Sequence, residues 1–192
     1  MNLKFLISLL GASGAMMVLE TWGLPTTLSL SFKGDVKRES RWLAQYGQFV
    51  CTAVAAALMV QLDPHPWRMR AAGVVVLAVL ATSVTAMLVK RLVSRVRPGR
   101  ENAGKFLGPS WNHANYKESF PSSHSACATA LSVMLSIYYP QATETFWTLA
   151  LVCAGLRYLM DAHWPSDVFG GIALGYAIAY GMATALGAPI PV

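Results

Sequence analysis

Long runs of this chain contain no Asp, Glu, Lys, Arg or His, among them Trp42–Leu62, Ala71–Val89 and Val168–Val192. The first two are about 20 residues long, enough for a helix to cross the ~30 Å hydrocarbon core of a bilayer. A helix also pairs its own backbone N–H and C=O groups, which hydrocarbon demands. Composition points the same way: 55% of residues are hydrophobic and 12% charged, about half the charge of a soluble domain. Mean hydropathy is +0.45. These features predict an all-α polytopic membrane protein, a bundle of six transmembrane helices forming a single domain over residues 1–192.

Hydropathy places the spans at roughly 4–22, 42–62, 70–92, 123–139, 144–161 and 166–186. Pro25, Pro64, Pro66, Pro98, Pro121, Pro140 and Pro165 lie between spans or at their ends, where a helix can stop. The Trp residues fall near the same boundaries, as an aromatic belt requires. Gly11–Ala15 gives the first span the look of a signal peptide, but apolar character continues to Leu19, so it reads as a retained membrane helix. Cys51, Cys127 and Cys153 sit in apolar runs without CxxC spacing, which argues against a disulfide frame or a zinc site. The net charge of +6 clusters around the spans. It points to phosphorylated membrane lipid as partner rather than nucleic acid.

Six spans make successive loops alternate between two membrane faces. Lys90–Arg97, Ser122–His124 and Arg157–Asp167 then share one face. The termini and the loops 63–70 and 140–144 share the other. Ionisable groups at the edge of a membrane segment are costly unless functional, so this coincidence marks a candidate site.

Three elements compose it. Lys90 and Arg97 are seven residues apart, about two turns or ~10 Å along one helical face. Arg can donate two parallel hydrogen bonds to an oxyanion, and Lys adds a compact charge. The same cluster also suits a basic anchor for lipid headgroups, the class to which Arg91, Arg95 and Arg100 are assigned. In the second element Ser122 opens a helix whose N-terminal amides attract an anion. Ser122 and the Ser123 amide would hold phosphate oxygens, and His124 would donate a proton to a leaving oxygen. A capped helix with an interfacial histidine reads equally well. In the third, Asp167 follows His163 by four residues and can place its carboxylate on one imidazole nitrogen, freeing the other to attack. Arg157 would complete an anion cradle. A structural His–Asp hydrogen bond or half a metal site has the same spacing. However, His65 falls on the opposite face and His113 stands alone in a loop.

Together the three elements resemble the signature of the type 2 phosphatidic acid phosphatase superfamily. Lys90 and Arg97-Pro98 match its first part. Pro121, Ser122 and His124 match its second, with Ser123 where the family has Gly. Arg157, His163 and Asp167 match its third, with Leu156 where the family has Ser. The resemblance covers about half the chain. It implies a phosphatase that needs no metal or other cofactor, with His163, His124 and Asp167 as catalytic residues. Lys90, Arg97, Ser122, Ser123 and Arg157 would bind phosphate. The implied course is attack by His163, a phosphohistidine intermediate, and proton transfer through His124.

The implied substrate is a lipid phosphate whose tail stays in the bilayer: undecaprenyl diphosphate or a glycerophospholipid phosphate (phosphatidylglycerophosphate or phosphatidic acid), with a lipid A phosphate as the alternative. The loop Glu101–Ser119 would lie over the site. A lipid phosphotransferase would use the same residues, and a non-enzymatic protein binding anionic lipid would share the basic face. Orientation is contested. All Lys and Arg except Lys4, Arg68 and Arg70 share the site's face, so a positive-inside count puts that face in the cytoplasm. The resemblance implies a bacterial inner-membrane protein with the site facing the periplasm, the reading adopted here.

Overall fold

The computed structural model describes residues 1–24, 26–28 and 34–188. Among these there is no strand. Seven α-helices follow in order: α1 (Leu3–Thr21), α2 (Gly34–Leu43), α3 (Phe49–Leu62), α4 (Arg68–Val93), α5 (Ser123–Tyr138), α6 (Thr143–Leu159) and α7 (Pro165–Ala185).

Helix α5 is the axis around which α4, α6 and α7 pack, and 12 of its 16 residues are buried. Its sequence explains the position: Ala126, Ala128, Ala130, Ser125, Thr129 and Ser132 present little side chain, so neighbouring backbones approach closely. The facing side of α7 is cut back in the same way. A Cβ on Gly171 would press on the Ser122 carbonyl, and one on Gly175 would overlap the Ala126 carbonyl. Below this contact Val75, Val79, Leu131, Met134, Ala179 and Ala183 form the main core, each at most 1% exposed. Helix α1 packs on the other side of α7, with Leu9 against Val168, Ile172 and Ala173. The Ser13 hydroxyl donates to the Ser166 carbonyl at 2.8 Å.

Among the described residues three helices, α1, α4 and α7, are long and apolar enough to cross a membrane. A fourth crossing results if Arg38–Gly47 and Phe49–Leu62, bent by 59°, count as one. The sequence predicted six, and the difference has two sources. Helices α5 and α6 have 16 and 17 residues, or ~24–26 Å at 1.5 Å per residue. The second predicted span is broken at Gln48, whose backbone is extended (φ −104°, ψ 156°). There a Cβ on Gly47 would overlap the His124 carbonyl, and the Cys153 thiol lies 3.3 Å from the Ala44 carbonyl. The chain bends because it abuts the start of α5. Hydropathy records composition and cannot register such a contact.

Helix α4 ends earlier than the sequence suggests. Ser94 adopts a left-handed conformation (φ 43°, ψ 58°) and its N–H closes onto the Lys90 carbonyl. The following loop folds back on itself: Val96 N–H donates to Lys105 O at 2.9 Å, and Arg97 N–H to Tyr116 O at 2.8 Å. Arg97 therefore lies on this loop and not on a shared helical face with Lys90.

The α5–α7 contact gives a direct test. Gly175→Ala should destabilise the protein by about 1–3 kcal/mol through overpacking. Gly181→Ala on the same helix meets open space and should be neutral or slightly stabilising. Thermal unfolding of the two variants in detergent measures the difference.

Candidate active site

At the end of the bundle where α4 stops and α5 and α7 begin, a cavity of about 480 Å³ is lined by Lys90, Arg97, Ser123, His124, Arg157 and His163. Ser83 and Met87 of α4 and Arg91, His113, Asn115 and Glu118 complete the wall. Six of the eight residues singled out in the sequence thus share one space. Ser122 and Asp167 lie behind the wall, each 0% exposed.

The cations differ in how they are held. The Lys90 ammonium donates to the Glu118 carbonyl at 2.6 Å. Arg97 reaches the same carbonyl at 3.4 Å and donates to the Ala162 carbonyl at 3.1 Å. A single carbonyl therefore gathers one cation from the last turn of α4 and one from the loop after it. The Arg157 guanidinium has no hydrogen-bond or ion-pair partner among the described residues, and its Nε is buried unpaired, as is that of Arg97. Buried donors without acceptors are costly, and an anion in the cavity would satisfy them. The only carboxylate in the wall, Glu118, is already engaged, with Oε1 3.3 Å from Arg91 and 2.6 Å from His113 Nδ1.

Helix α5 presents its N-terminus to this space. The Ser122 side chain turns inward as the N-cap, accepting from the Ser125 hydroxyl at 2.9 Å and weakly from the Ser125 amide. Its oxygen therefore caps the helix, and the side chain expected to bind phosphate is buried and does not line the cavity. The amides of Ser123 and His124, first in the helix, have no intrahelical acceptor and remain suited to an anion. The His124 ring meets Gln48, Nε2 to Nε2, at 3.3 Å. Gln48 was not anticipated, since it sits within an apolar run and reaches the site only through the helix break.

His163 is 1% exposed. Its Nδ1 lies 2.8 Å from the Ser119 carbonyl. A carbonyl can only accept, so Nδ1 carries the proton and Nε2 keeps its lone pair. Asp167 was expected to bond this imidazole directly. Instead its carboxylate is 3.7 Å from Nδ1, a charge neighbour beyond hydrogen-bond range. The carboxylate is occupied by Arg95 at 2.6 Å, the Ser119 hydroxyl at 2.5 Å and the Trp164 amide at 2.9 Å. As the third residue of α7 it closes a capping box on Trp164, which aims it at the helix start. Burial drives the pKa of His163 down to about 3, Lys90 and Arg97 add to the shift, and Asp167 opposes it. The imidazole is therefore neutral at physiological pH.

Arg95 requires a correction. Grouped in the sequence with lipid-anchoring arginines, it is 0% exposed and paired to both Glu20 and Asp167. Arg91 is partly buried against Glu118, and Arg100 is exposed. Nothing in a single sequence separates Arg95 from Arg91. Glu20 did carry a signal, being a carboxylate at the end of an apolar span.

A larger cavity, about 620 Å³, lies at the opposite end beside Asp63, His65, Trp67 and Tyr139. None of the predicted site residues lines it. Its one carboxylate, Asp63, is saturated by the Tyr139 hydroxyl at 2.6 Å and by His65 N and Nδ1.

A neutral buried His163 makes the fold sensitive to acid. The unfolded chain takes up a proton on this residue near pH 6.5, but the folded protein only near 3. Its contribution to stability is complete above about 6.5 and is lost as pH falls from there towards 3. Thermal midpoints between about pH 7 and pH 4 should fall less steeply in His163→Asn than in the wild type.

Comparison with known proteins follows from this geometry. Residues 70–189 match the PAP2 superfamily. Lipid A 1-phosphatase of Rhizobium etli is 34% identical over 99 residues, 50% of this chain and 42% of that protein. The chain thus spans less than half the length of this relative. Decaprenylphosphoryl-5-phosphoribose phosphatase of Mycobacterium tuberculosis is 30% identical over 146 residues, 72% of this chain and 74% of that protein. The crystal structure of a transmembrane PAP2-type phosphatidylglycerolphosphate phosphatase from Bacillus subtilis superposes with a TM-score of 0.54 at 15% identity. That superposition covers 95% of this chain and 92% of the other, and it speaks for the fold alone.

Proposed function

The chain belongs to the PAP2 superfamily, and from that premise we propose that it is an integral membrane lipid phosphatase working through a phosphohistidine. The observation that carries the reading is the cavity's charge pattern. Lys90, Arg97 and the unpartnered Arg157 face one space whose wall holds a neutral histidine with its Nε2 lone pair free.

In the proposed reaction the phosphate group of a lipid enters between the three cations and the first amides of α5. His163 Nε2 attacks phosphorus and the bond to the leaving oxygen breaks, forming a P–N bond. His124, held as imidazolium by the negative charge of the bound phosphate, gives its proton to the departing oxygen. It then takes a proton from the water that attacks the phosphohistidine, and inorganic phosphate is released. Lys90, Arg97, Arg157 and the Ser123 amide hold the charge that spreads over the phosphoryl oxygens. Ser122 contributes by capping the helix that presents those amides. Asp167 acts as a fixed negative charge behind His163. No metal enters the scheme, and among the described residues no three His, Cys, Asp or Glu side chains group as a metal site requires.

The relatives' names put lipid A phosphate and decaprenylphosphoryl-5-phosphoribose on the substrate panel beside phosphatidylglycerophosphate, undecaprenyl diphosphate and phosphatidic acid. The purified protein should release phosphate from at least one of these, vanadate should inhibit, and a chelator should have no effect. His163→Ala should abolish both turnover and covalent labelling by 32P-substrate, while His124→Ala should retain label. Full activity in His163→Ala would refute the assignment. Phosphate appearing only on an acceptor lipid would make the enzyme a transferase.

The proposal extends to a bacterial inner membrane crossed six times by a single domain, with α5 and α6 as short crossings and the site on the periplasmic face. Asn112 lies in the loop beside the cavity. In intact cells, Asn112→Cys should react with a membrane-impermeant maleimide without prior permeabilisation. Protection until the cells are opened would place the site in the cytoplasm.

A further inference from the structure

Apart from Asp167, the mechanism above leaves unused a buried ionic cluster directly behind His163. Arg95 Nη1 donates to Asp167 Oδ1 and to the Ser166 hydroxyl, both at 2.6 Å. Its Nη2 donates to Glu20 Oε2 at 2.7 Å. Glu20 also accepts from the Ser166 hydroxyl at 2.5 Å and the Ser166 amide at 3.1 Å. The guanidinium stands over the rings of Phe106 and Trp164, 5.1 and 5.5 Å from their centres. The Arg95, Glu20 and Asp167 side chains are at most 1% exposed.

A cluster of this kind is weak evidence for stability, because well-packed apolar groups hold a fold as well as a buried ion pair does. Its second connection is more informative. Ser119 is gripped on every side: its N–H donates to the Arg95 carbonyl at 3.0 Å and its hydroxyl to Asp167 Oδ2 at 2.5 Å. Its carbonyl accepts from His163 Nδ1 at 2.8 Å. Arg95 therefore holds Ser119 twice, through its own backbone and through Asp167. Ser119 in turn sets which imidazole nitrogen bears the proton. A carbonyl has no proton to give and cannot let the tautomer reverse, whereas a carboxylate partner could share one.

We infer that Glu20, Arg95 and Ser119 are positioning residues that lock His163 in the Nδ1–H tautomer through the Ser119 carbonyl, with Asp167 one step removed. The reacting nitrogen is thus aimed from α1, the α4 loop and α7 together. The catalytic part of this inference rests on His163 being the nucleophile, but the tautomer itself does not.

Two measurements test it. In protein labelled with 15N-histidine, the His163 signal is identified by its loss in His163→Asn. The wild type should show a neutral ring protonated at Nδ1. Glu20→Gln and Ser119→Ala should move that signal towards a mixture of tautomers. In the same variants kcat per vanadate-binding site should fall about 10–100-fold, the scale of a small misalignment of reacting groups. KM should stay within about threefold. A merely structural role would reduce the number of vanadate-binding sites and leave kcat per site and the imidazole signal unchanged, which would overturn the inference. So would a wild-type His163 protonated at Nε2. Ser119→Ala removes a single hydroxyl, and the wild-type spectrum needs no variant of the cluster, so misfolding of Glu20→Gln leaves the test decisive. Nδ1 protonation without release of phosphate from any lipid would refute the phosphatase reading and leave the tautomer assignment standing.

Discussion

A guanidinium and a carboxylate 2.6 Å apart, both sealed from water, set the arrangement of the charged end of this molecule: Arg95 and Asp167. Withdrawing an ion from water costs several kcal/mol unless other groups replace its hydration. Each partner has such replacements. Arg95 is served by Glu20, the Ser166 hydroxyl and two aromatic faces. Asp167 is served by the Ser119 hydroxyl and the Trp164 amide. These groups come from the end of α1, the loop after α4, the segment before α5 and the start of α7. Satisfying one buried pair therefore fixes four parts of the chain relative to one another, and His163 sits in the resulting frame.

The arginines of this region have different fates, and the difference separates framework from chemistry. Arg95 makes four hydrogen bonds to protein groups. Arg97 is partly used, on two carbonyls, with a buried unpaired Nε. Arg157 has no partner among the described residues. The fold supplies partners for Arg95, whereas Arg97 and Arg157 keep buried unpaired nitrogens beside a cavity. Lys90 sharing an acceptor with Arg97 adds to the imbalance, since two like charges held close raise the energy of the empty site. A bound phosphate would relieve that repulsion and the unpaired donors together.

The membrane character and the residues that share the cavity were legible in the sequence because both depend on residue type and coarse spacing. Charge-free runs announced the helices, and Lys90, Arg97, Ser123, His124, Arg157 and His163 could be picked out as ionisable or capping groups at span ends. Details that depend on local geometry were not legible. The seven-residue interval suggested a shared helical face for Lys90 and Arg97, yet the helix stops at Val93 and the two converge from different elements. Ser122 was assigned to phosphate, and its hydroxyl is spent on the helix cap. The four-residue interval suggested a direct His163–Asp167 bond, yet the Ser119 carbonyl takes that place.

By itself the sequence determined that the chain must be helical and largely lipid-embedded, and which groups are chemically equipped to handle a phosphate. Hydrophobicity and ionisability belong to residues and survive in any conformation. Only the tertiary structure decided that Arg95 is buried framework, that Gln48 breaks a span beside His124, and that Ser119 rather than Asp167 meets His163. Hydrogen bonds depend on placement to within tenths of an ångström, and the partners here come from residues separated by many tens of positions.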